Sequence, residues 1–162
     1  MSLSPKAKVL SGLYRNCVFR SDSRAEAHEH VAREFSEHVF NWKQGAPNAA
    51  LFKGELNQLK VYSLSYGAQI EITPCSFDGF TLVHTSLSGE AEFECDGRSI
   101  RVPEGRTAVL APRQNCRLRW LAGTQQLIVR VPDKLLGDVR SLLPDEKVDL
   151  MAGLLPRSLG SQ

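Results

Sequence analysis

Phe80-Thr-Leu-Val-His-Thr-Ser-Leu87 is an apolar run interrupted by one imidazole, and His84 is the residue best placed to do chemistry in this chain. On an extended strand Phe80, Leu82 and His84 share a face. Cys116, Leu118 and Trp120 share another, with Arg117 and Arg119 turned to water between them. Tyr62, Leu64 and Tyr66 make a third such set, although Leu59 and Val61 compete for the inside. Apolar walls with a few polar groups are the usual constitution of a small-molecule pocket. Aromatic rings beside one imidazole suit a flat ligand bearing a single polar group. The plainer reading makes His84 a core histidine bonded to backbone and leaves Trp120, Tyr62 and Tyr66 to ordinary packing.

Other reactive side chains do not assemble into a motif. His28, His30 and His38 fall within SDSRAEAHEHVAREFSEHVF (21–40), which reads as an amphipathic helix. Ser23 and Glu26 have capping-box spacing, and Val31, Phe35 and Val39 recur at helical intervals. There is no HExxH pattern, so these histidines read as a solvated helix face. Cys17, Cys75, Cys95 and Cys116 are scattered with no CxxC pair, the pattern of reduced thiols in the cytoplasm. No catalytic set, metal site or cofactor is expected.

The elements that must position His84 are short strands. From Ala49 to Val131 the pattern gives strands near 50–56, 58–66, 69–73, 79–87, 90–96, 98–102, 107–111, 115–121 and 125–131, parted by turns such as YGA, LSG, CDG and PEG. The stretch LSGEAEFECDG (87–97) is typical: Ala91, Phe93 and Cys95 face one way, Glu90, Glu92, Glu94 and Asp96 the other. Many short strands at this spacing predict a sandwich or closed barrel. Residues 1–18 read as an irregular arm, and 19–131 as the barrel with its leading helix. Two amphipathic helices are expected over 132–156, carrying Leu135, Val139, Leu142 and then Val148, Met151, Leu155 as apolar stripes. Those stripes either cover an open end of the barrel or pack against a second copy; the expectation is a homodimer. RSLGSQ (157–162) has the character of a linker. A net charge of +2 in 162 residues does not make a surface for coating nucleic acid, and no apolar stretch is long enough for a membrane helix.

The stretch LSGEAEFECDGRSIRVPEGRTAVLAP (87–112) resembles the cupin strand-turn signature, and more closely the effector-binding domain of AraC/XylS-type transcription regulators. Leu87-Ser88-Gly89, Gly97, Pro103-x-Gly105 and Val109-Leu110-Ala111-Pro112 carry the likeness, with FRSDSRAEA (19–27) before them and RVPDKLLGDV (130–139) after. The resemblance implies a jelly-roll barrel, one N-terminal helix and two C-terminal helices. It also places Cys75, Phe77, Leu82 and Cys116 where metal-dependent cupins carry three histidines and a glutamate. Two of those four are apolar, so no working metal site is implied. Cys75 and Cys116 would both point inward, as core residues or as a soft-metal or redox pair.

Taken with the resemblance, the sequence predicts an effector-binding and dimerisation domain that senses a small organic metabolite, a class that in its relatives is often aromatic, and that is not an enzyme. Ligand contacts are expected from His84, Trp120, Tyr62, Tyr66, Leu82, Phe77 and Cys116. DNA would be bound only through a helix-turn-helix domain that this chain lacks. The rival readings are a cupin-fold enzyme with a non-standard site and a structural dimerisation module whose barrel is filled by side chains.

Overall fold

The structure, a computed structural model, describes residues 12–136 and the backbone of 153–154. Residues 12–13 are helical, and the first strand, β1 (Cys17–Ser21), begins at the end of the segment 1–18 read as an irregular arm. β1 pairs with β3 (Ala49–Leu56), so the arm is stitched to the domain by backbone hydrogen bonds that an irregular segment would leave unmade.

Helix α1 (Arg24–Glu34) starts where the capping signal put it. The Ser23 hydroxyl accepts from the Glu26 N–H at 3.3 Å. Glu26 does not reach back to the Ser23 backbone. Its carboxylate accepts from the Ser21 hydroxyl at 2.6 Å, and that hydroxyl in turn accepts the Ser23 N–H at 3.0 Å. The helix ends earlier than the apolar spacing suggested. His38–Trp42 is strand β2, paired with β5 (Ile70–Pro74), and Val39 is 64% exposed rather than on a buried helical stripe.

The remaining strands lie close to where the sequence placed them: β4 (Leu59–Ser65), β6 (Phe80–Ser88), β7 (Glu90–Cys95), β8 (Arg98–Pro103), β9 (Thr107–Leu110), β10 (Cys116–Trp120) and β11 (Gln125–Pro132). Burial alternates cleanly on β7 and β10, whereas β4 buries Val61, Tyr62, Ser63 and Leu64 in a row. Turn chemistry sets their lengths. Between β7 and β8, Asp96 and Gly97 both have positive φ (50° and 81°), the geometry a two-residue hairpin needs.

These strands make two sheets rather than one closed barrel. The first runs β1-β3-β4-β11-β6-β9-β12 and the second β2-β5-β10-β7-β8. Here β12 is Gly153–Leu154, which pairs with β9 and extends the first sheet at its edge. That is a second correction, since a helix was expected there; an edge strand such as β9 offers unpaired backbone groups to any segment that reaches it. Residues 133–136 are helical, and Leu135 among them is half-buried. The other residues of the expected C-terminal stripes, Val139, Leu142, Val148, Met151 and Leu155, lie outside the described residues. Among the described residues, no helix is long and apolar enough to cross a membrane.

The core lies between the sheets. Ala91, Phe93 and Cys95 are buried on one face of β7, while Glu92 on the other face holds Arg119 at 2.9 Å and Glu90 holds Arg101 at 2.6 Å. Exposed pairs of this kind contribute little stability. They mark which side of the sheet is wet.

Cysteine pairing departs from the expectation of four free thiols. Cys95 and Cys116 are direct cross-strand partners on β7 and β10, 4.2 Å apart at Cα, and are joined by a disulfide. Cys17 and Cys75 are free and exposed. Cys75 and Cys116 therefore do not form the inward pair that the cupin likeness implied. Mild alkylation of the native, unreduced chain is expected to modify two cysteines, rising to four after reduction and unfolding; four in the native chain would remove the disulfide.

Candidate ligand-binding site

Between the sheets lies a cavity of about 50 Å³. The first sheet contributes Leu82 and His84 from β6, Leu110 from β9 and Ile128 from β11. Trp120 on β10 and His38 on β2 face them from the second sheet. Val31 of α1 and the corner residues Phe35 and Ser36 wall a further side. The alternation that buries a strand's inner face is what brings residues from these five strands to one point.

Five of the seven residues expected from sequence border this cavity: His84, Trp120, Tyr66, Leu82 and Phe77. Two do not. Cys116 is bound to Cys95 instead. Tyr62 is buried, but its hydroxyl donates to Glu34 Oε2 at 3.0 Å, outside the cavity wall. His38 is the residue that sequence reasoning missed, because it was placed on a helix. The usable signal was the alternation of His38, Phe40 and Trp42, which suits a strand.

His84 is not bonded to backbone. Its Nδ1 lies 2.8 Å from Gln126 Oε1, and Gln126 Nε2 donates to Ser86 Oγ at 3.1 Å. Ser86 Oγ donates in turn to the Val102 carbonyl at 2.8 Å. A carbonyl can only accept, so the direction of the whole chain is fixed from that end. The Gln126 oxygen must accept, and His84 Nδ1 must carry the hydrogen. In the neutral ring, Nε2 is then a bare acceptor. Burial pushes the His84 pKa down to about 4, against a smaller opposing effect of the Gln126 hydrogen bond. The ring is neutral at physiological pH.

The same logic applies to His38. Its Nδ1 donates to the Ser36 carbonyl at 2.7 Å, and burial lowers its pKa, more than the Ser36 bond raises it. His28 Nε2 donates to the His38 carbonyl at 2.8 Å, which ties α1 to β2. His30 stacks on Phe19 with ring centroids 4.9 Å apart. These three histidines are structural contacts of the helix and its following corner, not a uniformly solvated face.

Three residues that border the cavity each hold a buried nitrogen without a hydrogen-bond partner among the described residues: His84 Nε2, His38 Nε2 and Trp120 Nε1. Each unmet polar group of this kind costs about 1–3 kcal/mol.

The helix-side wall is held by Glu34. Its carboxylate accepts from Tyr62 and pairs with Lys53 at 3.1 Å, and its backbone carbonyl accepts from Arg130 Nη1 at 2.7 Å. Arg130 also lies 3.9 Å over the Phe80 ring. Glu34→Ala would leave the half-buried Lys53 and the Tyr62 hydroxyl without their acceptor, an expected loss of about 1–3 kcal/mol. Urea denaturation checks this; an unchanged midpoint would mean the clasp is decorative.

Among the described residues no three His, Cys, Asp or Glu side chains gather where they could hold a metal ion.

Two antiparallel sheets facing each other across an interior cavity, with a helix laid against one side, define a mainly β, two-sheet domain. The chain belongs to the AraC-binding-like domain family, whose model matches residues 27–158. No curated protein sequence matches it. Among solved structures it is similar to the AraC-like transcriptional activator CuxR, at 16% identity and a TM-score of 0.63, over 78% of this chain and 51% of that one. The chain thus spans about half the length of that activator. It is also similar to KdgF from Halomonas sp. (15% identity, TM-score 0.48, 57% of this chain and 87% of that one). A cupin superfamily protein from Desulfitobacterium hafniense matches at 12% identity and a TM-score of 0.43, over 60% and 79% of the two chains.

Proposed function

We propose that this chain is the effector-binding and dimerisation part of an AraC-type transcription regulator, acting in the cytoplasm and sensing a small organic molecule in the cavity between its sheets. Family membership supports the regulator assignment. The observation that carries the sensing role is the set of three unpartnered nitrogens on residues that border one largely apolar cavity. His84, Trp120, Tyr66, Leu82 and Phe77 are its contact residues, with His38 added to them.

A cavity of about 50 Å³ has room for a few waters only, each needing about 10–15 Å³ of such space. A metabolite needs several hundred Å³ in typical pockets. Entry therefore displaces a wall. The corner after α1 is the wall outside the sheet ladders, and Glu34 is its fastening. Binding that moves this corner gives the domain two conformations with different ligand affinity, which is what a sensor requires. Promoter recognition belongs to a separate DNA-binding domain, and the apolar residues of 132–156 join two copies.

A thermal-denaturation screen of aromatic, aliphatic and polyol metabolites tests the sensing role. A true ligand at a hundred times its Kd adds about 2.7 kcal/mol, or roughly 5–10 °C in Tm for a domain of this size. No stabilising compound in such a screen would contradict it. For assembly, sedimentation at tens of micromolar is expected to give a dimer, and Val139→Glu with Leu142→Glu a folded monomer. A monomeric wild-type chain would overturn that part.

A further inference from the structure

The protonation of the cavity wall restricts what can fill it. His84 Nε2 and His38 Nε2 are acceptors, because the Nδ1 of each is committed as a donor, to Gln126 and to the Ser36 carbonyl. Trp120 Nε1–H is a donor. These three nitrogens together ask for two hydrogen-bond donors and one acceptor. The residues that border the cavity include no Asp, Glu, Lys or Arg. A charged ligand group would enter without a counter-ion, which is strongly unfavourable in an apolar site. A carboxylate has a further penalty: it can only accept, and it would face two imidazole lone pairs. A hydroxyl both donates and accepts, and it carries no charge.

We infer that the cavity is selective for neutral hydroxylated compounds with a flat apolar frame, the chemistry of a phenol or catechol, and that it rejects carboxylates and ammonium ions of the same size. The ring stacks among Tyr66, Phe77 and Trp120, and its hydroxyl hydrogen goes to an imidazole. This inference rests on the cavity being a ligand site, as proposed above.

The chain has two tryptophans, Trp42 and Trp120, so indole N–H resonances of the labelled 162-residue chain give a direct readout, assigned with Trp42→Phe. Phenol, catechol, benzyl alcohol, benzylammonium, benzoate and toluene are titrated at pH 7.5. The three hydroxyl compounds are expected to shift the Trp120 resonance with affinities at least about tenfold above those of the other three, the effect of one satisfied hydrogen bond. In His84→Leu and in His38→Leu, the preference for phenol over toluene is expected to shrink toward unity. Benzoate, benzylammonium or toluene binding as tightly as phenol, or a phenol preference intact in both variants, overturns the inference and leaves the cavity a ligand site. If no compound moves the Trp120 resonance, both readings fall together.

Discussion

Gly89→Ala is expected to destabilise the domain by about 2–4 kcal/mol, lowering Tm by roughly 5–15 °C. Gly89 turns the chain between β6 and β7 at φ +73°, a region where any side chain is strained. Space is the larger difficulty. A Cβ at Gly89 would sit 2.5 Å from Thr124 Oγ1 and 2.6 Å from Thr124 Cα. Thr124 cannot move aside cheaply, because its hydroxyl accepts from the Glu90 N–H at 3.1 Å and donates to the Glu90 carbonyl at 2.9 Å. It is itself 2% exposed. Backbone strain, overpacking and the loss of two hydrogen bonds thus fall on one substitution. Gly97→Ala is the control, since it has φ +81° but nothing within 4 Å of the added carbon. It should cost only about 1 kcal/mol. Equal effects at the two sites would mean that the turn conformation matters and the contact with Thr124 does not.

Acid is expected to weaken the domain by a comparable amount through His84. The unfolded chain takes up a proton near pH 6.5, whereas the buried ring does so only near pH 4. Between those values the unfolded state binds more protons, so stability is greatest above pH 6.5 and falls as pH is lowered toward 4. A gap of this size corresponds to about 3 kcal/mol once pH reaches the lower limit. His38, whose pKa burial also lowers, adds a loss of the same sign. The difference between wild type and His84→Gln isolates the first contribution, because carboxylates elsewhere titrate in both. Urea midpoints at pH 7.5, 6 and 5 should converge for the two proteins as pH falls. Parallel curves would place the His84 ring in contact with solvent.

Strand positions were legible because the pleat leaves a period of two in the sequence. Glu90, Glu92 and Glu94 against Ala91, Phe93 and Cys95 need no tertiary information to be sorted. The inward direction of Leu82, His84, Leu118 and Trp120 followed from the same rule. What escaped depends on which strands become neighbours. Cys95 and Cys116 are 21 residues apart, and nothing local says that β7 lies beside β10 in that register. The end of α1 was misread because Val31, Phe35 and Val39 satisfy helical spacing while His38, Phe40 and Trp42 satisfy strand spacing over an overlapping stretch. Pairing with β5 decides between them, and it moved His38 from a solvated face to the cavity wall. His84 presents the same limit in polar form. Its burial was readable, but its partner, Gln126, sits 42 residues away on β11.

The central claim is that a small molecule binds between the two sheets, against His84 and Trp120. Calorimetric titration of the best stabilising compound into wild type and into Leu110→Phe tests it most directly, since Leu110 borders the cavity and is 1% exposed. Ile128→Phe, on β11 of the same sheet, serves if the first variant does not fold. The account predicts one site per chain in wild type and a loss of at least about a hundredfold, about 2.7 kcal/mol, in a folded filled variant. Undiminished affinity in a folded, cavity-filled variant would place the ligand elsewhere and contradict it.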